Sequence, residues 1–503
     1  MNTFTVEIYE GENWYGGIVN DADKMPFCRE SVYSFDFRTT NCVDQAATIL
    51  LSDRGRYIRF EPIAFSVSEG KLIFAYSERP PRIQTGGTTL KDAYLAAYRE
   101  YFFHEELKIP EECFKLPQFN DWMEIGYEQN QSDILKYAEE IISRGYSYCV
   151  LMIDDKWSDY YGSFEFNKAR FPDAAAMIKK LREMGFQVML WETPFISADS
   201  PEFRFLNERN MLVRNADNSV AVRKWWNGYS AVLDLSNPET VLWLKEKNEK
   251  LLRMGVGGFK FDGGDIGYYR NDDITFGNLD AEAQSHTYFD LGAQYTYNEF
   301  RSVINRSGRS AMFRQYDKVH RYGKGGLADV IPSAVMQNLM GYWYCAPDMV
   351  GGGSIDSDKV VDEELVIRFA QASALLPMMQ FSRLPHRILN RDHFEICMKF
   401  AKLHCEFGDY ICALAHQAAA TGEPIVRLLE YEFPHQGFEK ELNAFALGEK
   451  VLVFPVLNKG EYRKKIRLPS GRWRFADGKV YTGGEEQCFD TPLETLPYFI
   501  KEE

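Results

Sequence analysis

The sequence lacks the features that mark disulfide-bonded, zinc-binding and membrane-spanning proteins. Its nine cysteines are scattered without a Cys-x-x-Cys pair, and its eight histidines form no His-Glu-x-x-His motif, so we predict free thiols, no metal site and no cofactor. No apolar run reaches the ~20 residues of a membrane helix. The first residues show neither the basic nor the apolar region of a secretory signal. These absences favour a cytoplasmic protein that does not contact a membrane.

The chain also has fewer basic than acidic residues. The chain carries 58 Lys and Arg against 73 Asp and Glu, a net charge of −15. An acidic chain gains nothing from the attraction of polyanions, so we expect no nucleic-acid partner. Aromatic residues, by contrast, make up 15% of the chain. Most of them should fill cores, but a few at exposed positions could stack against the apolar face of a sugar ring.

Three regions differ in their pattern of apolar residues. Residues 1–115 alternate between apolar and polar positions and are punctuated by turns, which predicts an N-terminal β-sandwich. Residues 116–418 alternate between apolar runs and amphipathic helices, which predicts an α/β fold, a catalytic (β/α)8 TIM barrel. Residues 419–503 return to the strand pattern and predict a C-terminal antiparallel β-sandwich domain. A doubly wound open sheet is the alternative for the middle region, but no Gly-x-Gly-x-x-Gly follows an early strand.

The barrel prediction rests on about eight buried strands with helices between several of them. The predicted strands cover residues 122–125, 149–153, 187–191, 232–235, 258–261, 312–316, 342–346 and 376–381. The predicted helices cover residues 90–103, 132–143, 174–184 and 238–254.

Polar side chains follow five of these predicted strands. A lone Asp at the end of a strand usually caps the next turn, but the carboxyl ends of barrel strands converge on one site. We therefore expect one pocket that combines carboxylates with indole rings and a guanidinium, which suits a neutral polyhydroxylated ligand. The residues concerned are Asp154, Asp155, Trp157, Trp191, Asp262, Arg314, Asp317 and Asp348.

Asp262 is the sharpest candidate for chemistry. Strand alternation places Lys260 on the same face, where a cation favours the ionised carboxylate that a nucleophile needs. Gly263 and Gly264 carry no side chain and would allow a substrate to approach closely. The alternative is a structural Lys260–Asp262 pair followed by a glycine turn.

Several segments together resemble glycoside hydrolase family 31, the retaining α-glycosidases, over nearly the whole chain. Residues 259–265 (FKFDGGD) resemble the nucleophile strand of the family, residues 314–318 its acid/base segment and residues 341–352 its Asp-Ile-Gly-Gly signature. Residues 13–17 and 56–65 resemble its lead-in strands. The segments 421–427, 451–456, 469–473 and 491–499 resemble its C-terminal sandwich.

The resemblance implies a double-displacement mechanism. Asp262 would be the nucleophile and Asp317 the general acid/base, with the two carboxyl groups ~5–5.5 Å apart as in retaining enzymes. The substrate would be a small oligosaccharide or glycoside cleaved from its end. The substrate-binding residues would be Asp154, Asp155, Trp157, Trp191, Trp226, Lys260, Arg314, Trp343, Asp348 and Ser382.

Departures from the family pattern bear on the sugar that is cleaved. The last strand of common α-glucosidases ends in Arg-x-His, and this chain has Gln380 and Ser382 at those places. The pattern most resembles the branch that contains the myogenesis-regulating glycosidase, which implies α-galactosidase activity. An α-glucosidase, an α-xylosidase and a sulfoquinovosidase are the alternatives. For the last, Arg383 and His386 are candidates to bind an anion, and a solvated loop is the simpler interpretation of that segment.

Two other classes of protein are possible alternatives. A catalytically silent sugar-binding protein is a further alternative, although the chain retains both Asp262 and Asp317. A metal-dependent hydrolase is disfavoured because the ligand spacings are missing. Sandwich edges in this architecture could supply a surface for a homo-oligomer.

Overall fold

The computed structural model describes residues 1–355 and 360–502. A nearly closed barrel of eight parallel strands lies at the centre, with β-sheets from the N-terminal region and an antiparallel β-domain at the C-terminus. The fold class predicted from the sequence is therefore confirmed.

The N-terminal region forms two antiparallel sheets, as the alternating pattern predicts. One sheet has the order β1-β7-β6-β3, and the other contains β2, β4, β5 and β8. Buried aromatic side chains fill the space between them, including Phe27, Phe60, Phe65 and Phe74. The elements are β1 (Asn2–Glu7), β2 (Trp14–Ile18), β3 (Tyr33–Asp36), β4 (Gln45–Ser52), β5 (Arg56–Arg59), β6 (Ala64–Ser68), β7 (Lys71–Tyr76), β8 (Arg82–Thr85) and α1 (Leu90–Tyr101).

The middle region alternates strands with helices. The strands are β9 (Gln118–Asn120), β10 (Val150–Ile153), β11 (Gln187–Glu192), β12 (Phe195–Ser197), β13 (Val222–Trp225), β14 (Gly228–Val232), β15 (Gly258–Phe261), β16 (Tyr297–Phe300), β17 (Val303–Ile304), β18 (Met312–Arg314), β19 (Cys345–Ala346) and β20 (Gln380–Phe381). The helices are α2 (Glu112–Lys115), α3 (Trp122–Ile125), α4 (Gln131–Ser143), α5 (Ala174–Glu183), α6 (Pro201–Glu208), α7 (Pro238–Met254), α8 (Ala281–Gly292), α9 (Val330–Leu339), α10 (Glu363–Ala374), α11 (Pro385–Ile388) and α12 (Arg391–Thr421).

The barrel sheet has the order β19-β18-β16-β15-β11-β10-β9-β20, with all neighbours parallel. The seam between the first and the last of these strands is bridged just past β19, where the Val350 amide donates to the Gln380 carbonyl at 2.8 Å. Because every strand runs in the same direction, the carboxyl ends of all eight meet at one face of the barrel.

Two of the predicted barrel strands need correction, and one barrel strand was not predicted. Residues 122–125 form α3, because the first strand ends at Asn120 and the Asn120 side chain accepts from the Trp122 amide as the chain turns. Residues 232–235 do not enter the barrel; Val232 ends β14, which pairs with β12 and β13. The strand missing from the prediction is β16, whose Asn298 and Glu299 interrupt the expected apolar run.

The sheet of β12, β14 and β13 covers the carboxyl end of the barrel beside the cavity described below. Its residues pack into a small separate core that includes Tyr161, Trp191, Phe195, Trp225 and Tyr269. This insertion therefore brings a group of aromatic rings to the face of the barrel where the strands end.

The N-terminal sheets also reach the barrel face. Strand β17, which follows β16, pairs in parallel with Gln45 and Ala46 of β4. The Gln45 side chain donates to the carbonyls of Arg301 and Arg314, the second at 2.9 Å. The N-terminal region thus holds the backbone of two residues that the site uses.

The C-terminal region is antiparallel, as predicted. Six strands follow the order β21-β22-β23-β28-β25-β26, and β24 pairs with β27. The elements are β21 (Val426–Arg427), α13 (Leu429–Glu432), β22 (Phe445–Leu447), β23 (Val451–Val453), β24 (Arg463–Arg467), β25 (Arg472–Phe475), β26 (Val480–Thr482), β27 (Glu486–Asp490) and β28 (Tyr498–Lys501).

Candidate active site

A cavity of about 600 Å³ opens at the carboxyl end of the barrel strands. Its acidic lining comes from Asp154, Asp155, Asp262, Asp265 and Asp317, so both carboxylates of the predicted catalytic pair face the same space. The rest of the lining includes the cations Lys224, Lys260, Arg301 and Arg314, and the aromatic residues Trp122, Tyr127, Trp191, Trp225, Trp226, Tyr268 and Tyr316.

Asp262 directly follows β15 and is held at both carboxylate oxygens. Its Oδ1 accepts from Arg301 Nε at 2.7 Å and from the Gly263 amide at 3.0 Å. Its Oδ2 accepts from the indole nitrogen of Trp191 at 3.1 Å. Burial alone would raise the pKa of Asp262, but the charges of Arg301 and Lys260, together with the bound Arg301, lower it well below its usual value. The carboxylate is therefore ionised and oriented, as a nucleophile requires.

Lys260 stabilises the negative charge of Asp262 without forming a direct ion pair with it. Its ammonium lies 2.6 Å from Asp154 Oδ2, and both side chains are about 5% exposed. Asp154 is fixed further by Asn120, whose amide nitrogen donates to the same oxygen at 2.7 Å. The direct partner of Lys260 is thus Asp154, while its positive charge still lowers the pKa of Asp262.

Arg301 contacts the proposed nucleophile but was not predicted from the sequence. It follows β16 and joins Asp262 to Asp265, because its Nη2 lies 2.8 Å from Asp265 Oδ2. The Asn41 side chain also donates to Asp265, at 3.1 Å. Its position directly after the segment Tyr-Asn-Glu-Phe could have indicated a residue at the end of a strand. The two polar residues of that segment, however, do not fit the pattern of a buried strand.

Asp317 lies at a more open part of the cavity. Its side chain is 33% exposed against 11% for Asp262, so solvent reaches it more easily. Arg314 Nη1 donates to Asp317 Oδ1 at 2.7 Å and to Asp348 Oδ1 at 3.2 Å. The single guanidinium therefore fixes the position of Asp317 relative to the wall of the barrel.

Asp155 provides a buried polar contact on the opposite wall. Its Oδ2 accepts from Asn227 at 2.6 Å and from the Tyr161 hydroxyl at 3.1 Å. Within the described part of the chain, its Oδ1 is buried without a hydrogen-bond partner. Burial raises the pKa of Asp155 to about 6. Such a carboxyl group is suited to bind a sugar hydroxyl that replaces water.

The indole rings serve different purposes. Trp191 lines the cavity and also donates to Asp262, while Trp225 stacks beside it with ring planes 14° apart. Trp226 is 46% exposed at the rim, where the Arg301 guanidinium lies 5.4 Å from its ring centre. Trp226 is therefore the tryptophan most available to an incoming ligand, and Trp225 joins the set although it was not predicted.

The structure places four of the predicted binding residues away from the cavity surface. Trp343 is buried, and its indole nitrogen donates to the Tyr94 hydroxyl of α1. The residue lies two positions before β19 begins, so it does not stand at the carboxyl end of that strand. Trp157 donates to the Trp191 carbonyl and packs on Phe166. Neither indole is among the residues that line the cavity, and both make their contacts with the protein itself.

Asp348 and Ser382 bind the backbone instead of facing the cavity. Asp348 Oδ2 accepts from the amides of Lys318 and Gly353 at 2.5 and 2.6 Å, and burial raises its pKa to about 6. Ser382 Oγ accepts from the Met123 amide at 2.7 Å. Both side chains use their polar atoms to hold loops at the barrel face, and neither is among the residues that line the cavity.

The residues of the last strand have structural partners. Gln380 donates to Glu299 inside the barrel at 2.9 Å. His386 contacts Tyr146 and Glu140 at 3.1 Å each, away from the cavity. The candidate anion contact at His386 is therefore used by other side chains of the protein.

The described residues include one group with metal-ligand geometry, formed by Glu111, Cys412 and His416 at the surface. Lys115 lies 2.9 Å from Glu111 and would oppose a cation there. The group is not part of the cavity lining. Among the helices that the structure describes, none combines the length and apolarity of a membrane span.

A (β/α)8 barrel with two carboxylates, sugar-sized space and aromatic walls at the carboxyl ends of its strands is the architecture of a glycosidase. The chain belongs to glycoside hydrolase family 31. Residues 119–413 match the TIM-barrel domain of that family, and residues 422–503 match its C-terminal domain.

Known relatives and structures agree with this assignment. The chain is 28% identical to the mouse myogenesis-regulating glycosidase over 97% of its own length and 74% of that protein. It is 23% identical to α-glucosidase 2 of Bacillus thermoamyloliquefaciens, and covers 52% of that protein. The fold matches a family 31 dextranase of Flavobacterium johnsoniae with a TM-score of 0.85 at 19% identity, over 99% of this chain and 66% of that one. The chain thus spans between half and three quarters of these proteins.

Proposed function

We propose that the protein is a retaining, exo-acting α-glycosidase that cleaves terminal α-galactosides. The observation that carries the proposal is the state of Asp262, a buried carboxylate kept ionised by Arg301 and Lys260 in the cavity that Asp317 also lines. An ionised nucleophile opposite a more exposed carboxyl group is the arrangement that double displacement needs.

In the first step, a carboxylate oxygen of Asp262 attacks the anomeric carbon of the terminal sugar. The bond from that carbon to the leaving oxygen breaks, and Asp317 gives its proton to the departing aglycone. The product is a glycosyl ester on Asp262 with inverted configuration. Trp191 and Arg301 hold the carboxylate during the attack.

In the second step, Asp317 removes a proton from water, and the resulting oxygen attacks the anomeric carbon. The ester bond to Asp262 breaks, so the carboxylate is regenerated and the sugar leaves with its original configuration. Exposure of the Asp317 side chain is consistent with this use of water. The carboxyl group of Asp317 therefore acts as the proton donor in the first step and as the proton acceptor in the second.

The choice of galactose rests on the sugar pocket rather than on the catalytic pair. The chain is similar to the myogenesis-regulating glycosidase over almost its full length. The Arg and His that end the last strand in common α-glucosidases are replaced by Gln380 and Ser382, whose side chains bind the protein itself. Asp154 and Asp155 are then the acidic contacts for sugar hydroxyls, and one changed hydroxyl partner can alter specificity strongly.

α-Glucoside, α-xyloside and sulfoquinovoside remain alternatives on the same scaffold. A catalytically silent sugar-binding protein is the alternative from another class. It is disfavoured because Asp262 keeps three hydrogen-bond donors, one of which is the buried cation Arg301, an arrangement that binding alone does not need.

A panel of aryl α-glycosides tests the proposal. It contains the galactoside, glucoside, xyloside, N-acetylgalactosaminide and sulfoquinovoside, with aryl β-galactoside as the matched control. We expect the α-galactoside to give the highest kcat/KM. A higher value for another α-glycoside would reassign the sugar, and turnover of the β-glycoside alone would remove the α-glycosidase assignment.

A further inference from the structure

A second pocket of about 340 Å³ lies beside the catalytic cavity. We call it the side pocket; its walls come from the loop after β10, the loop after β12 and the hairpin of β13 and β14. Lys156, Tyr160, Tyr161, Asn227 and Tyr229 are among its lining residues. The catalytic steps described above do not use it.

Two tyrosine rings stand exposed at the side pocket. Tyr229 is 66% exposed and Tyr160 is 41% exposed, although both are large aromatic residues. Asp159 and Asp199 contribute carboxylates to the same lining. Exposed aromatic faces next to hydrogen-bond acceptors suit a sugar ring, which has apolar C–H faces and a rim of hydroxyl groups.

The side pocket shares a wall with the catalytic cavity. Asn227 and Tyr161 line the side pocket, and both donate to Oδ2 of Asp155, at 2.6 and 3.1 Å. Asp155 in turn lines the catalytic cavity. The two spaces are therefore separated by one layer of hydrogen-bonded side chains.

The pairing of β13 with β14 places a residue of the catalytic cavity opposite a residue of the side pocket. Lys224 lines the catalytic cavity, Tyr229 lines the side pocket, and the two residues are direct partners across β13 and β14. Side chains at directly opposed positions share a face, with Cβ atoms roughly 5 Å apart. The linings of the two spaces therefore meet at this pair of side chains.

The backbone of the shared wall is held in an uncommon conformation. Lys156 has a φ of +73°, in the left-handed region, and its ammonium lies 4.2 Å from the centre of the Tyr161 ring. Such conformations have an energetic cost and concentrate at binding sites. The strain here is located at a residue that lines the side pocket.

We propose that the side pocket binds a distal unit of an α-linked oligosaccharide whose terminal unit occupies the catalytic cavity. The preferred substrates are then oligosaccharides rather than short glycosides. This inference rests on the proposed function, because it presumes that the terminal unit binds next to Asp262 and Asp317.

The test compares Tyr229→Ala with Phe276→Ala, a matched loss of an exposed ring outside the side pocket (Phe276 is 67% exposed). Each variant is assayed on the aryl glycoside preferred in the panel and on a tetrasaccharide that ends in the same sugar, stachyose for a terminal galactose or isomaltotetraose for a terminal glucose. We expect Tyr229→Ala to lower kcat/KM for the tetrasaccharide about tenfold, the effect of losing one good contact. Turnover of the aryl glycoside should stay within about twofold in both variants, because the contact is absent from that substrate.

Calorimetric titration of the tetrasaccharide separates this inference from the proposed function. It uses protein with Asp262→Asn to prevent turnover, with and without Tyr229→Ala. Weaker binding in the Tyr229→Ala protein supports the side pocket, even if the wild-type protein turns over no member of the panel. Equal binding of the tetrasaccharide with and without Tyr229 overturns the inference, as does an equal loss of activity on the aryl glycoside and the tetrasaccharide.

Discussion

Arg301 Nε lies 2.7 Å from Asp262 Oδ1, and Arg301 Nη2 lies 2.8 Å from Asp265 Oδ2. The buried guanidinium of Arg301 therefore both compensates the negative charge of Asp262 and fixes the orientation of its carboxylate. Asp262 and Arg301 follow neighbouring parallel strands, β15 and β16, so the contact arises from the register of the barrel. It links the fold directly to the charge state of the catalytic carboxylate.

Replacement of Arg301 should impair the nucleophile. We expect Arg301→Gln to lower kcat/KM about 10²–10³-fold, the effect of removing one preorganised charged donor. Since the pKa of Asp262 would rise, the acid limb of the kcat/KM profile should move to higher pH. Arg301→Lys keeps the charge and should move that limb less. A Gln variant with an unchanged acid limb would contradict this role of Arg301.

The indole nitrogen of Trp191 supplies a second contact to Asp262. Trp191→Phe keeps most of the ring but removes the 3.1 Å hydrogen bond, so we expect kcat to fall about 10-fold. Trp225→Phe is the matched control, because the Trp225 indole donates to Ser230 instead. The measurement is steady-state kinetics on the preferred aryl glycoside. Equal losses in the two variants would assign Trp191 a packing role alone.

Loss of the acid/base should depend on the leaving group. We expect Asp317→Ala to lower kcat/KM about 10²–10⁴-fold for a glycoside with a sugar aglycone, which needs protonation to depart. A dinitrophenyl glycoside needs little protonation and should react through the first step at close to the normal rate. Added azide should accelerate its turnover by attacking the glycosyl ester without base catalysis. A uniform loss on both substrates, without rescue by azide, would remove Asp317 from this role.

The Lys260–Asp154 pair makes a prediction about stability. Lys260→Met leaves a buried carboxylate without its cation, which should lower the free energy of unfolding by about 3–5 kcal/mol. The double variant Lys260→Met/Asp154→Asn removes both charges and should recover much of that loss. Urea denaturation measures both values. If the double variant is no more stable than the single one, the pair does not compensate as described.

Much of the site was predictable because its residues stand at the ends of strands with local apolar patterns. Asp154, Asp262 and Asp317 each follow such a run, and each lines the cavity. The class of fold was predictable for the same reason. The periodicity of helices such as Pro238–Met254 also gave their bounds.

Other features depend on contacts between distant segments. Strand β16 carries Asn298 and Glu299, and their burial is compensated by the Met312 amide and the Gln380 side chain. No local pattern reveals those partners, so the strand and Arg301 after it were missed. Trp343 lies outside the cavity lining because its apolar run begins three residues before β19 and the indole packs toward α1.

Trapping the covalent intermediate tests the role of Asp262 as nucleophile most directly. The wild-type protein is treated with the 5-fluoro-α-glycosyl fluoride of the sugar preferred in the aryl panel, digested and analysed by mass spectrometry. We expect one added glycosyl group on the peptide that contains Asp262, and no adduct in Asp262→Ala protein. An adduct on another carboxylate, or turnover of the inhibitor with inverted product and no adduct, would contradict it.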